Sequence, residues 1–382
     1  VNRRLAELAA WTVTAALAAF AVAVSAVAAD SVPAFAVDTH WPQLPLPHNW
    51  TLGELAGIAV DAHDHIWILH RPRTLQLYER AAAEQPPLAE CCIPAPPVIE
   101  FDASGRVLRA WGGPGRGYDW PANEHGLSID YRGNVWIGGN GGADAKPGDA
   151  TARDGMVLKF TPDGRFLLQI GHAGPSKGSK DPSQLGGAAA VAVDPKTNEA
   201  FVADGYVNNR IIVFDADSGK FKRMWGAYGR APTDIDLPPY NPAAPPDPQF
   251  RIAHCIKRSA DGVLYVCDFN NNRIQMFRTD GTFIGEHFYA RDTLPDRNAG
   301  AVADLAFWPD AAQSLLIVAD TANSKVRILR RADGEQLSAF GHFGYYAGQL
   351  SRIHQIAVDS NGNVYTAEAA GRRVQKFAPT RN

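Results

Sequence analysis

The chain has 382 residues, 37 basic and 40 acidic, with a formal net charge of −3. No basic tract breaks that balance, so the electrostatic footprint of a nucleic-acid binder is missing and nucleic acid is excluded as a partner. Charged residues are only 20% of the sequence while Gly (35) and Pro (27) are plentiful, which favours many turns and short strands over long helices.

At the N-terminus, Arg3 and Arg4 precede an uncharged stretch from Leu8 to Ala29, rich in Ala and Val. That order of basic, apolar and small-residue regions is a secretory signal, and its length also suits an uncleaved membrane anchor. Residues 1–29 are read as one or the other. Either reading exports residues 30–382, a single domain, to the periplasm or the extracellular space. A membrane is then a partner only through the uncleaved segment.

From residue 55 onward one phrase recurs, and internal repetition is the strongest fold signal a sequence carries. A first strand reads GIAVD (57–61), GLSID (126–130), AVAVD (190–194) and QIAVD (355–359), with looser copies at 255–259 and 304–308. A second strand follows each time, as in HIWIL (65–69) and VLYVCD (263–268), short and rich in β-branched and aromatic residues. A third strand, such as VIEF (98–101) or VQKF (374–377), leads in five copies to a turn at Ser104-Gly105, Asp163-Gly164, Ser218-Gly219, Asp280-Gly281 or Asp333-Gly334 and then to a fourth strand. The sixth copy stops at Phe377 without a fourth strand. The segment Ala34 to Trp41 can supply it, closing the ring and removing exposed sheet edges. The expected fold is therefore all-β: a six-bladed propeller closed by an N-terminal strand. Insertions at 71–97, 140–154 and 231–249 interrupt the repeat, and long loops of this kind tend to carry function.

The cysteines are Cys91, Cys92, Cys255 and Cys267, without the paired spacing of a zinc ribbon. Cys255 and Cys267 fall on two strands of one hairpin, so a cross-strand disulfide is one reading and two small half-buried residues the other. Spacing does not say how Cys91 and Cys92 pair.

Aligning the six copies just before the first-strand core puts Ala56, His125, Ala189, His254, Ala303 and His354 in one register. Histidine alternates with alanine, so three imidazoles converge on the central channel. Three neutral nitrogens fix a borderline-soft divalent ion and leave a fourth position open, which suits Zn2+, with iron, copper or manganese as alternatives. The ends of the second strands share that face: His70-Arg71, Asp204-Gly205-Tyr206 and Asp268-Phe269. Arg71 can clamp a carboxylate with its planar fork, and Tyr206 beside a cation can accept a proton. His63 and His65 fall on the opposite face, His172 and His342 in loops, and Arg210 and Arg273 read as blade-packing residues.

The phrases NRI (209–211, 272–274), WG or FG (111–112, 225–226, 340–341) and GQL (348–350) resemble NHL repeats over nearly everything after residue 50. Three further phrases, HGLSID (125–130), DGY (204–206) and LHR (69–71), resemble the peptidyl-α-hydroxyglycine α-amidating lyase family. The resemblance implies that His125, His254 and His354 hold zinc, that Tyr206 is the base, and that Arg71 engages a substrate carboxylate. Two positions depart from the family. Its second active-site arginine is here Phe269, which cannot act as a bidentate cation but still lines the substrate site. Its calcium-binding acid after the third histidine is here Gln355, so calcium is not expected. The implied activity is a zinc lyase acting on a small-molecule or peptide substrate that is hydroxylated or carries an amide. The alternative is a non-catalytic propeller that binds peptide, glycan or another protein. A sugar-lactonase propeller would need mostly acidic metal ligands, which the histidines disfavour.

Overall fold

The second strand of each repeat is buried along its whole length, from Ile66–Arg71 through Glu199–Asp204 to Val364–Glu368. It lies between the first and third strands of its own sheet, so its short apolar run has no solvent face to alternate with. The outer fourth strands, such as Val107–Trp111 and Gln336–Phe340, are part exposed. The computed structural model describes residues 32–142, 154–296 and 299–380. The expected signal or anchor at 1–29 and most of the 140–154 insertion lie outside the described residues. No helix among the described residues is long and apolar enough to cross a membrane.

Nearly all the regular structure is antiparallel sheet in a propeller-like arrangement. Among the described residues, four sheets have four strands each, an eight-stranded sheet consists of two four-stranded meanders, and a small sheet has two strands. These two meanders meet through the pair Ala188 and Gly139. The first strands touch one another in sequence around a ring, Glu54–Val60 against Glu124–Ile129 and so on to Ile353–Val358, which returns to Glu54–Val60. As expected, the N-terminal strand Ala34–Asp38 completes the last sheet, pairing antiparallel with Arg373–Thr380 from Ala34 opposite Thr380 to Asp38 opposite Lys376.

The recurring polar letters are mostly staples. The Asp that closes a first strand accepts the ring N–H or hydroxyl of an aromatic on the second: Asp61 from Trp67, Asp130 from Trp136 and Asp359 from Tyr365, all at 3.0 Å. The arginines of the NRI phrase are fully buried, Arg210 donating to Asp204 and Arg273 to Asp268, each at 2.8 Å. Burying such charges is tolerable only because every donor finds an acceptor. Cys255 stands opposite Cys267 with Cα atoms 4.8 Å apart, and the two sulfurs are bonded. Cys91 and Cys92 are bonded to each other within the first insertion.

One irregularity positions the site. In five of the first strands the pairing register slips at the histidine or alanine position or beside it: Leu55/Gly57, His125/Leu127, Ala188/Ala190, Ala253/Cys255 and Ile353/Gln355. A bulge of this kind leaves a residue out of the ladder and re-aims its side chain.

Candidate metal centre and its cavity

The three histidines come together as their register predicts, although His125 and His354 are separated by 229 positions along the chain. All three are buried, and their ligand atoms lie within 4.8 Å of one another. His125 donates from Nδ1 to the Ala189 carbonyl at 3.1 Å, and His254 from Nδ1 to the Ala303 carbonyl at 2.7 Å. A carbonyl can only accept, so Nδ1 carries the proton in both rings and each Nε2 presents a lone pair inward. At His125 and His254 the alanine of the next repeat supplies the carbonyl that orients the ring, the usual outer partner of a metal-bound imidazole. Gly126 makes this approach possible. Its φ is +66°, and a Cβ there would stand 2.0 Å from the Ala189 oxygen.

Burial, first of all, holds the three imidazoles neutral. It lowers His254 to about 4 and takes His125 and His354 well below the ordinary histidine value, with mutual repulsion and the charges of Arg71 and Arg352 adding to the effect. His125 Nε2 has one lone pair, yet the Tyr206 hydroxyl lies 2.7 Å from it and His354 Nε2 lies 2.9 Å from it. The His354 Nδ1 is buried without a partner. A shared cation would use one inward-facing nitrogen from each ring. The three histidines can hold a metal ion.

The centre opens into a cavity of about 550 Å³ lined by Arg71, Tyr206, Phe269 and Arg352, among others, with His254 and His354 in its wall. Tyr206 is half-buried, its ring 4.8 Å from that of His125 and 5.8 Å from that of His254. Its approach depends on Gly205, where a Cβ would meet the Ala253 nitrogen at 2.3 Å. Arg71 donates from Nε to the Glu124 carbonyl at 2.9 Å and from Nη1 to Glu54 at 3.1 Å. Phe269 stacks on His254, with ring centroids 4.7 Å apart and planes tilted by 30°.

Other candidates are not brought into this cavity. His70 accepts the Gly53 N–H and donates to the Pro96 carbonyl, and both Asp204 and Asp268 are occupied by the arginine staples. Gln355, instead of an acid, accepts the Ile58 N–H at 3.0 Å and so ties the last repeat to the first. His65 bonds Glu100 at 2.8 Å, away from the centre. The 231–249 insertion helps to wall a neighbouring cavity of about 410 Å³ that shares Tyr206 with the first. Sequence reasoning missed Glu54, Asn123 and Arg352. All three stand two residues before the histidine or alanine register position and line the cavity, so that column of the repeat was the available signal.

Fold and site together define a propeller-like all-β protein with a buried three-histidine centre. No protein-family model matches the chain. It is 27% identical over 367 residues to peptidyl-glycine alpha-amidating monooxygenase A of Xenopus laevis, covering 90% of this chain and 33% of that protein. The chain thus spans about a third of the length of the first amidating relatives it matches. It is also 28% identical over 295 residues to NHL repeat-containing protein 3 of Mus musculus, covering 74% of this chain and 73% of that protein. A solved structure of a protein of unknown function from Bacteroides thetaiotaomicron shares the fold, with a TM-score of 0.53 at 13% identity over 86% of this chain and 70% of that one.

Proposed function

We propose that the chain is an exported six-bladed propeller enzyme, a zinc-dependent lyase that cleaves a small hydroxylated, amide-containing substrate as amidating lyases do. The observation that carries the reading is the Tyr206 hydroxyl 2.7 Å from Nε2 of His125, at the point where three neutral imidazoles converge. Zinc held by His125, His254 and His354 would supply Lewis-acid polarisation of a substrate oxygen. Tyr206 handles the proton. On a carbinolamide, the Tyr206 phenolate, its own proton lost to solvent beforehand, takes the hydroxyl proton, the C–N bond breaks as the carbonyl forms, and the proton passes to the departing amide nitrogen, which regenerates the phenolate. Arg71 orients the substrate from the cavity wall, and Phe269 shields the His254 face from water.

The match to NHL repeat-containing protein 3, balanced over both chains, favours a second reading: a non-catalytic propeller that binds peptide, glycan or protein. Metal analysis separates the two. The lyase reading expects about one equivalent of zinc in the purified protein and its loss in His125→Ala. It also expects slow turnover of an N-acyl-α-hydroxyglycine, falling roughly 100- to 10,000-fold in Tyr206→Phe with metal retained. Absence of any stoichiometric transition metal would remove its basis.

A further inference from the structure

We propose that the second cavity, walled by the 231–249 insertion, seats the acyl side of the substrate and selects an apolar side chain there. The identity of the substrate rests on the lyase reading above; the apolar selectivity of the cavity does not.

Tyr206 lines both cavities, and its hydroxyl stands 2.7 Å from His125 Nε2. A lyase splits its substrate in two beside that hydroxyl, so the two fragments need room on either side of one residue. The second cavity offers about 410 Å³, within the roughly 300–1,000 Å³ of sites that bury small molecules. In the carbinolamide reaction one fragment is the acyl amide. One residue of extended chain spans about 3.3–3.6 Å, so the side chain next to the breaking bond falls within reach of the cavity that Tyr206 borders.

The wall of this cavity is held in place by a buried side chain. Gln249 accepts the Thr233 hydroxyl at 2.6 Å and the Ile235 N–H at 3.2 Å through Oε1, and donates from Nε2 to the Ile235 carbonyl at 3.1 Å. One amide thus closes both backbone groups of Ile235, as a neighbouring strand would. With its backbone occupied, Ile235 offers a ligand only its side chain, which is 51% exposed. Ile252 lines the same cavity. It stands two residues before His254, in the column where Glu54, Asn123 and Arg352 give the first cavity its polar groups, so the fourth repeat turns an apolar residue towards the second. The charges in the wall are matched: Arg251 donates to Asp247 at 2.7 Å, Asp234 accepts the Ser179 N–H at 2.9 Å, and neither Asp236 nor Asp296 is without a partner. What remains for a ligand is apolar contact in a fixed frame, where little ordering is needed on binding.

The test uses the full chain loaded with zinc and three fragments that the lyase reaction does not cleave, N-acetyl-leucinamide, N-acetyl-glycinamide and N-acetyl-lysinamide, with binding measured by calorimetry. Wild type is expected to bind the leucine fragment about 10- to 100-fold more tightly than the glycine fragment, the ratio that burial of one leucine side chain gives, and the lysine fragment no more tightly than glycine. Ile235→Ser should cut the leucine preference by about 3-fold or more, with glycine binding and metal content unchanged. If that variant does not fold, Leu237→Ser, on the same wall, decides. Equal binding of leucine and glycine by wild type, tighter binding of lysine than of leucine, or an undiminished leucine preference in the variant that folds overturns the proposal. Turnover of N-acetyl-leucyl-α-hydroxyglycine by the same samples judges the lyase reading separately. Ile235-dependent selectivity without turnover sustains the apolar cavity and sinks the lyase, and turnover without such selectivity does the reverse.

Discussion

The same first strands build both ends of the central channel, yet the ends differ in kind. At one end the register slips and histidines, carbonyls and arginines point inward. At the other, the strands run on in register and line a cavity of about 340 Å³ with Ile58 to Val60, Leu127 to Ile129, Val191 to Val193 and their counterparts. Chemistry gathers where the ladder is broken. A regular strand sends alternate side chains to the faces of its own sheet, whereas a bulge at each histidine frees a residue to turn towards the axis.

The largest expected effect comes from closing the bulge. Gly126→Ala places a methyl group against the Ala189 carbonyl that orients His125, at a left-handed position. It should cost about 2–4 kcal/mol of stability and weaken zinc binding roughly 10- to 100-fold, read by urea unfolding and metal competition. Unaltered metal affinity would show that the carbonyl does not orient the ring.

Next comes acid sensitivity, which should belong to the histidine end. Burial lowers His70 to about 4 from an ordinary 6.5. The unfolded chain therefore binds a proton below pH 6.5 that the folded chain refuses until about pH 4, so stability falls as pH drops through that window. The loss is about 3 kcal/mol for His70 alone, and metal-free His254 adds to it in the same direction. His70→Asn keeps an acceptor for the Gly53 N–H and removes the titration. Its unfolding free energy should fall less steeply between pH 6.5 and 4 than that of wild type. An identical slope would count against the assignment.

The smallest effect should lie at the regular end. Ser128→Ala, on the wall of the opposite cavity, should change stability by no more than about 0.5 kcal/mol and leave metal content as it is. Metal loss in this variant would mean that the two ends are not independent.

Much of this was legible before any coordinates. The repeat phrase defined the strands, the missing fourth strand after Phe377 predicted the clasp by Ala34–Asp38, and the register of His125, His254 and His354 predicted their convergence. Strand periodicity and turn chemistry are local, so they can be read along the chain. The acceptors on Ala189 and Ala303, the slip at Ala188/Ala190 and the arrival of Arg352 in the cavity depend on ring closure, which joins residues hundreds of positions apart. Arg352 shows the limit most clearly. Its distance from Arg71 along the chain carries no information, and only the packing of one repeat against the next puts both in one cavity.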